Sequence, residues 1–354
     1  MLYKDDWDGV KSVFEDWWNR DLDRPLIQVF APKSAEEVQS DSWVFLRYYP
    51  DVERALSKLF RQFSKTVFEK EAYPNAWINL GPGSLSACLG AELKFDAKVN
   101  TAWFQGNFSL SQIEEMRLSP ESEWWRYTAK CTETAARRCR SKAVVSFTDL
   151  LDAVTILGQL RGNYPTNLLK EMFINKEKLI RALDNMHEIW LQCYEELCRI
   201  IDVSENGYST WAGLWSERRY LVLQCDTIVY LSPKLFDRFV YPYVTEECRF
   251  FERTIWHLDG PLELHHLDKL LDIPELDAIQ WIPGEGNPDG GDKCWLPLYK
   301  KIQGKGKLLQ LIVPPQKVMH LLDKISPKGV AIKTSCRTNE EGKRLIKEFE
   351  SRYG

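Results

Sequence analysis

The feature that most constrains the fold of this chain is a regular alternation of short apolar runs and amphipathic stretches from about residue 120 onward. Short apolar runs predict buried β-strands, and apolar residues spaced three to four apart predict the helices between them. Strands that alternate with helices form a parallel sheet covered on both faces, so the pattern predicts an α/β fold. The strand-like runs of this region span residues 143–149, 207–213, 225–231, 253–260, 276–284, 307–314 and 329–336.

One more β-prone run, at 26–30, lies nearer the start of the chain and brings the number of predicted strands to eight. Eight strand–helix repeats predict a closed (β/α)8 TIM barrel. Helical patterns make 1–20 an N-terminal helical addition and 31–120 an insertion between the first two strands. The whole chain, 1–354, is thus predicted to form one barrel domain. An open doubly wound sheet is the alternative, but no GxGxxG motif follows the first strand.

Composition excludes several classes of protein. The chain has 47 Lys and Arg residues against 51 Asp and Glu, a formal net charge of −4 and no basic stripe, so nucleic acid is not a predicted partner. No apolar run approaches the roughly 20 residues that span a bilayer, and the first residues lack the apolar core of a signal peptide. The nine cysteines, an odd number, are expected to be free thiols. We therefore expect a cytoplasmic protein without a membrane partner.

Polar and aromatic side chains concentrate where the predicted strands end. In an α/β barrel the active site lies at the carboxyl ends of the strands, so these positions form the candidate site. Asp149 is a candidate catalytic acid or base, with capping of the next helix as an equal alternative. Aromatic side chains there could stack on a flat ligand, although core packing explains most tryptophans. The candidate substrate-binding residues are Trp211, Tyr230, Gln280 and Trp281.

Three residues at two strand ends have the chemistry of metal ligands. His257 and Asp259 are two apart on one predicted strand, so both side chains point to the same face. Such a pair could bind a metal or act as an acid/base couple, and the alternative is a histidine held by a carboxylate for structural reasons. Cys336 ends the last predicted strand, where it is either a thiolate ligand or a buried small residue.

The segments QCDTIVYLSPKLFDRFVYPYV, at 224–244, and HLDGPLELHHLDKLLDIPELDAIQWIPG, at 257–284, carry a more specific pattern. An acidic residue and a helix ending in Phe-x-x-Pro-Tyr precede a strand ending in His-x-x-Gly and a strand with Asp-x-Ile. This pattern resembles the uroporphyrinogen decarboxylase superfamily over about residues 143–354. The resemblance implies a (β/α)8 barrel, in agreement with the strand count.

The resemblance also bears on activity. True decarboxylases of that superfamily carry an Arg-Gln-Ala-Gly-Arg segment after the first strand, which holds substrate carboxylates. Here QVFAPKSAEE, at 28–37, stands in its place, and Lys33 is the nearby cation. The chain therefore looks closer to the cobalamin-dependent methyltransferases of the methylcobamide:coenzyme M type. Those enzymes bind zinc through His-x-Cys at one strand end and a Cys at the end of the last strand.

Carried over to this chain, the resemblance implies zinc held by His257, Asp259 and Cys336, with Asp259 in place of the middle cysteine. It also implies a corrinoid on a separate carrier protein. The expected function is thus a zinc-dependent methyltransferase with a small-molecule acceptor. Three alternatives stay open. One is a decarboxylase or lyase of a small carboxylated substrate, with Asp149 or Asp259 as acid or base. The others are a carbohydrate-active hydrolase that uses that carboxylate pair and a barrel that binds a ligand without turnover.

Overall fold

The computed structural model describes residues 1–34 and 41–354. Residues 35–40, which include part of the 28–37 stretch compared with the decarboxylase arginines, lie outside the described residues. The strands are β1 (Leu26–Pro32), β2 (Thr66–Lys70), β3 (Asn75–Trp77), β4 (Glu92–Asp96), β5 (Thr101–Gln105), β6 (Val144–Ser146), β7 (Tyr208–Ser209), β8 (Trp215–Ser216), β9 (Tyr220–Leu223), β10 (Arg253–Asp259), β11 (Ala278–Ile282), β12 (Leu308–Ile312) and β13 (Val330–Ser335).

The helices alternate with these strands through the second half of the chain, as predicted. The α-helices are α1 (Trp7–Asn19), α2 (Val44–Arg47), α3 (Val52–Lys65), α4 (Ser84–Cys88), α5 (Leu110–Glu114), α6 (Glu123–Cys139), α7 (Ala153–Arg161), α8 (Thr166–Ile174), α9 (Lys176–Ile201), α10 (Val203–Asn206), α11 (Pro233–Phe239), α12 (Tyr241–Phe250), α13 (Leu267–Leu271), α14 (Leu296–Gly304), α15 (Pro315–Leu322) and α16 (Asn339–Tyr353). The 3₁₀ helices of the described residues are η1 (Asp226–Tyr230), η2 (Pro261–His266) and η3 (Lys293–Trp295).

A seven-stranded sheet forms the centre of the fold, in the order β2-β1-β13-β12-β11-β10-β9. Every neighbouring pair in it is parallel except β1 with β2, which is antiparallel at the edge. The α/β prediction is therefore confirmed. Strands β3 and β6 form a separate parallel pair, and β7 pairs with β8. Strand pairing among the described residues does not show a closed ring, but the architecture is compatible with an α/β barrel.

One predicted strand is wrong. The run 225–231 forms the 3₁₀ helix η1, and the strand lies just before it, at β9. All four residues of β9 are buried, and β9 pairs in parallel with β10. Asp226, by contrast, is exposed, so the run at 225–231 cannot be buried on both faces as a central strand must be. The predicted insertion at 31–120 also differs from expectation, because it contains strands β2 to β5 as well as helices.

Helix α1 covers the amino ends of the central strands and so leaves the carboxyl ends for the site. Its buried stripe of Phe14, Trp17 and Trp18 packs in one cluster with the first residues of strands, such as Leu26 and Ala278. The Trp18 indole donates to the Trp215 carbonyl at 2.9 Å. No helix in the described part of the chain is both long and apolar enough to cross a membrane.

Candidate functional site

A cavity of about 800 Å³ opens at the carboxyl ends of the central strands. The ends of β1 and β13 form one wall, β3 and the loop after β7 form another, and α3 contributes apolar side chains. Pockets of this size accommodate small organic molecules. Of the residues predicted to bind substrate, Trp211 lines the cavity. We refer to this space below as the carboxyl-edge cavity.

Lys333 places a cation in the wall of this cavity. On β13 the alternating positions Ala331, Lys333 and Ser335 share a face, and the last two line the cavity. The Lys333 ammonium makes no ion pair with any described residue. Its contacts are a weak hydrogen bond of 3.5 Å to the Ala212 carbonyl and the face of the Phe30 ring, 5.9 Å from the ring centroid. Burial lowers the pKa of Lys333 to about 8.

His257 lies next to the cavity and is oriented by a chain of amides. Its Nδ1 lies 2.6 Å from Gln280 Oε1, Gln280 Nε2 lies 2.8 Å from Gln310 Oε1, and Gln310 Nε2 lies 3.0 Å from the Ala212 carbonyl. A main-chain carbonyl can only accept, so Gln310 must donate to it. Gln280 must then donate to Gln310, and His257 must donate from Nδ1 to Gln280. This chain, the glutamine relay, leaves Nε2 of the neutral imidazole with its lone pair.

The surroundings of His257 favour the neutral imidazole. Burial lowers its pKa, against the opposing charge of Asp259 and the hydrogen bond to Gln280. The Trp211 ring stands edge-on to the imidazole with centroids 4.8 Å apart, and Trp211 also lines the cavity. His257 is therefore a neutral base in contact with Trp211, a residue that lines the cavity. The prediction that His257 and Asp259 share a face agrees with Leu258, which packs into the core on the other side.

The other predicted binding residues do not line the cavity. Gln280 is buried within the relay, and Tyr230 is 52% exposed with its ring edge-on to Tyr164. Trp281 is fully buried on the opposite face of the sheet from Gln280, where its ring meets Trp295 at 4.9 Å. Trp281 is therefore a core residue, because alternation along β11 turns it toward the helices. This corrects the expectation that it contacts substrate.

The predicted catalytic carboxylates have different surroundings. Asp149 is half-buried; its Oδ1 accepts from the Leu151 amide at 2.8 Å and from Gln224 Nε2 at 2.6 Å, and burial raises its pKa to about 7. Helix α7 is capped by Asp152 instead. Asp259 is exposed, and no hydrogen bond joins it to Asp149 among the described residues.

Glu263 is a carboxyl group that the sequence reasoning missed. It is 3% exposed, its Oε2 accepts from the Asp259 amide at 3.0 Å, and burial raises its pKa to about 9. Lys333 was missed as well. Its one sequence signal is a lone cation in the middle of the apolar run 329–336. Glu263 gave no comparable signal, since it follows a strand end among other polar residues.

Cys336 does not face the cavity. Its amide donates to the Phe30 carbonyl at 2.7 Å, and alternation turns its side chain away from the face of Lys333 and Ser335. Its Sγ lies against α16, 3.9 Å from where a Cβ on Gly342 would stand. Burial raises the pKa of this thiol to about 11, so the thiol stays protonated. Cys336 is thus a packing residue, which corrects the expectation of a thiolate at the site.

The expected zinc ligands are accordingly not brought together. In residues 1–34 and 41–354, no three His, Cys, Asp or Glu side chains form a group that could hold a metal ion. His257 and Asp259 share a face, but the third ligand is absent from it. The donor set His257, Asp259 and Cys336 therefore does not fit zinc, which needs three or four ligands around one point.

Comparisons with known proteins bear on the fold. No family model matches the chain, and no curated protein matches it. Among solved structures, a methyltransferase from Methanosarcina mazei is similar, with a TM-score of 0.60 over 98% of this chain and 99% of that chain. The sequence identity is 12%, so the likeness shows a shared fold.

Proposed function

We propose that the protein is a methyltransferase that acts on a small molecule held in the carboxyl-edge cavity. The observation that carries the proposal is the neutral, oriented imidazole of His257 beside a cavity of about 800 Å³ at the functional edge of the sheet. The whole-chain likeness to a methyltransferase from Methanosarcina mazei supports it. The resemblance to the cobalamin-dependent branch points the same way.

The chemistry of methyl transfer explains why such a base is useful. The acceptor atom forms a bond to the methyl carbon and must lose its own proton, while the electron pair of the broken bond stays with the donor. Nε2 of His257 carries a lone pair because the relay holds the proton on Nδ1. A positioned base of this kind accelerates reactions roughly 10²–10⁴-fold. His257 would take the acceptor's proton, and Trp211 would hold the acceptor beside it.

The methyl donor in this proposal is a corrinoid on a separate carrier protein, which would supply an electrophilic methyl group. The residues at the carboxyl edge fit the approach of such a partner. Tyr230, Leu262 and Ile312 follow or end β9, β10 and β12, and each is at least 45% exposed. Exposed apolar side chains of this kind are typical of contact surfaces.

Zinc stays a prediction without a role in this mechanism. The expected ligands do not meet, and we route no step through the metal. The transfer of the acceptor's proton to His257 needs only side chains of this protein. Asp149 and Asp259 stay predicted as catalytic, and burial raises the pKa of Asp149 to about 7.

The test of the proposal is a demethylation assay. Purified protein is mixed with methylcobalamin and a panel of thiols, amines and carboxylates, and the corrinoid absorbance is followed. We expect demethylation with at least one acceptor and formation of the methylated product by mass spectrometry. Absence of demethylation with every acceptor, together with release of CO₂ from a carboxylate, would refute methyl transfer.

A decarboxylase or lyase is the second candidate, and Lys333 is the observation that favours it. A half-buried ammonium without a carboxylate partner in the described residues could hold a substrate carboxylate. This alternative predicts CO₂ release that needs no corrinoid. The hydrolase and the non-catalytic binder stay predictions that no feature of the cavity favours.

A further inference from the structure

The charges of the carboxyl-edge cavity do not balance. Lys333 and Arg337 line it, and neither makes an ion pair with a described residue. Asp41 is the carboxylate among the described residues of the lining, and its Oδ2 already accepts from Arg47 at 2.6 Å. Among the described residues of the lining, positive charge therefore exceeds negative charge, and a ligand can neutralise the excess.

Lys333 is the deeper of the two cations, and the groups around it are neutral. Gln28 and Phe30 face it from β1, Gln310 from β12, and Ala212 and Gly213 from the loop after β7. A poorly solvated ammonium without a counter-ion is unfavourable unless something in the bound state pairs with it. A ligand anion at this point would therefore gain a strong, charge-assisted hydrogen bond.

The remaining walls suit a flat apolar body. Phe30, Phe68, Trp77 and Trp211 line the cavity with aromatic faces or edges. Aromatic rings contribute large contact areas and favour stacked or edge-on partners. A ligand with one anionic group at Lys333 and an unsaturated ring between Trp77 and Trp211 would use both features of the cavity.

The nearby helix α16 argues for a carboxylate rather than a phosphate. A phosphate is commonly held by the free amides of a helix N-terminus. Here that terminus is already satisfied, because Thr338 Oγ1 accepts from the Glu341 amide at 3.1 Å and Glu341 Oε2 accepts from the Arg337 amide at 2.7 Å. The Glu341 carboxylate also repels a second anion there. The single positive charge of Lys333 matches the single negative charge of a carboxylate.

We infer that the carboxyl-edge cavity binds a small aromatic carboxylate, with the carboxylate on Lys333 and the ring between Trp77 and Trp211. The inference deepens the proposed function and rests on it only in taking this cavity as the active site. It makes the carboxylate part of the substrate that is recognised, whichever atom accepts the methyl group.

Binding is measured without any methyl donor, by calorimetry and by tryptophan fluorescence. The probes are benzoate, cinnamate and indole-3-acetate, each beside its primary amide, which has the same shape and no charge. We expect at least one carboxylate to bind tenfold or more tightly than its amide. We expect that preference to disappear in Lys333→Met and to return in part in Lys333→Arg.

Lys328→Met is the matched control, because Lys328 lies just before the same strand but is paired with Asp23 at 2.8 Å. It should bind like the wild type. Lys333→Met should melt at or above the wild-type temperature, since it removes an unpaired cation, so a loss of binding would not reflect unfolding. Binding should also weaken as the pH rises above about 8, where Lys333 loses its proton.

Equal affinity of carboxylates and amides, or unchanged carboxylate binding in Lys333→Met, would overturn the inference. So would tighter binding of phenylphosphonate than of benzoate. If carboxylates bind as expected but no acceptor is ever methylated, the proposed function fails and the binding site stands.

Discussion

Replacement of Glu263 by glutamine should stabilise the protein, and increasingly so at higher pH. Glu263 is 3% exposed, and burial raises its pKa from 4.5 to about 9. Asp226, Asp259 and Asp152 add to this shift by their negative charge. The folded state therefore holds the proton where the unfolded chain releases it. Stability is full below pH 4.5 and is lost as the pH rises toward 9.

The size of the effect follows from linkage. Each pH unit between the two pKa values costs the native state about 1.4 kcal/mol. From pH 5 to pH 8, ionisation of Glu263 should therefore lower the free energy of unfolding by about 4 kcal/mol at most. Glutamine keeps the shape and an oxygen acceptor for the Asp259 amide but cannot ionise. Between pH 5 and pH 8, the free energy of unfolding of Glu263→Gln should therefore rise relative to that of the wild type by up to about 4 kcal/mol.

Urea unfolding at pH 5, 6.5 and 8 measures the difference. Glu285→Gln, at an exposed glutamate of the loop after β11, is the matched control and should show a difference that does not depend on pH. If Glu263→Gln differs from the wild type by the same amount at all three pH values, Glu263 is not protonated in the folded protein, and the burial argument fails.

Three further predictions concern single residues. Trp281→Ala should cost about 3–5 kcal/mol in urea unfolding, whereas Trp211→Ala should weaken ligand binding with a smaller loss of stability; the reverse order would place the wrong tryptophan at the site. Cys336 should react with a thiol reagent far more slowly than the exposed Cys294, because Cys336 is buried. Equal rates would contradict the placement of the Cys336 thiol away from the cavity. Long-range ¹H–¹⁵N NMR should show His257 protonated at Nδ1 near pH 7.5. Gln280→Leu removes the oxygen that accepts from Nδ1, so the preference for the Nδ1-protonated form should be lost. An Nε2-protonated ring in the wild type would contradict the glutamine relay.

The architecture was largely accessible from the sequence because it depends on periodic patterns. Leu26, Arg253 and Ala278 begin strands that the runs predicted, and α1 follows from the spacing of Phe14, Trp17 and Trp18. The strand β9 was missed because its apolar residues directly precede a second apolar run at 225–231. Periodicity alone cannot decide which of two adjacent runs pairs with β10.

The site was less accessible because it depends on side-chain direction. A shift of one residue turns a side chain to the other face of a strand. Cys336 and Trp281 were both placed at strand ends correctly, but each faces the helices rather than the cavity. The role of Lys333 depends on the absence of a partner among the described residues, which no spacing in the sequence reveals. The alternation argument succeeded for His257 and Asp259 because it used their relation to each other.

A comparison of methyl transfer by His257→Gln and by Trp281→Phe tests whether His257 is the base. Both variants alter neighbouring strands, but only the first removes the proposed base. The Trp281 indole nitrogen has no hydrogen-bond partner to lose in the part of the chain that the structure describes. With methylcobalamin at saturation and a thiol or amine acceptor, which has a proton to lose, we predict a loss of rate of roughly 100-fold or more in His257→Gln and a rate near that of the wild type in Trp281→Phe. Equal rates in the two variants would contradict this prediction.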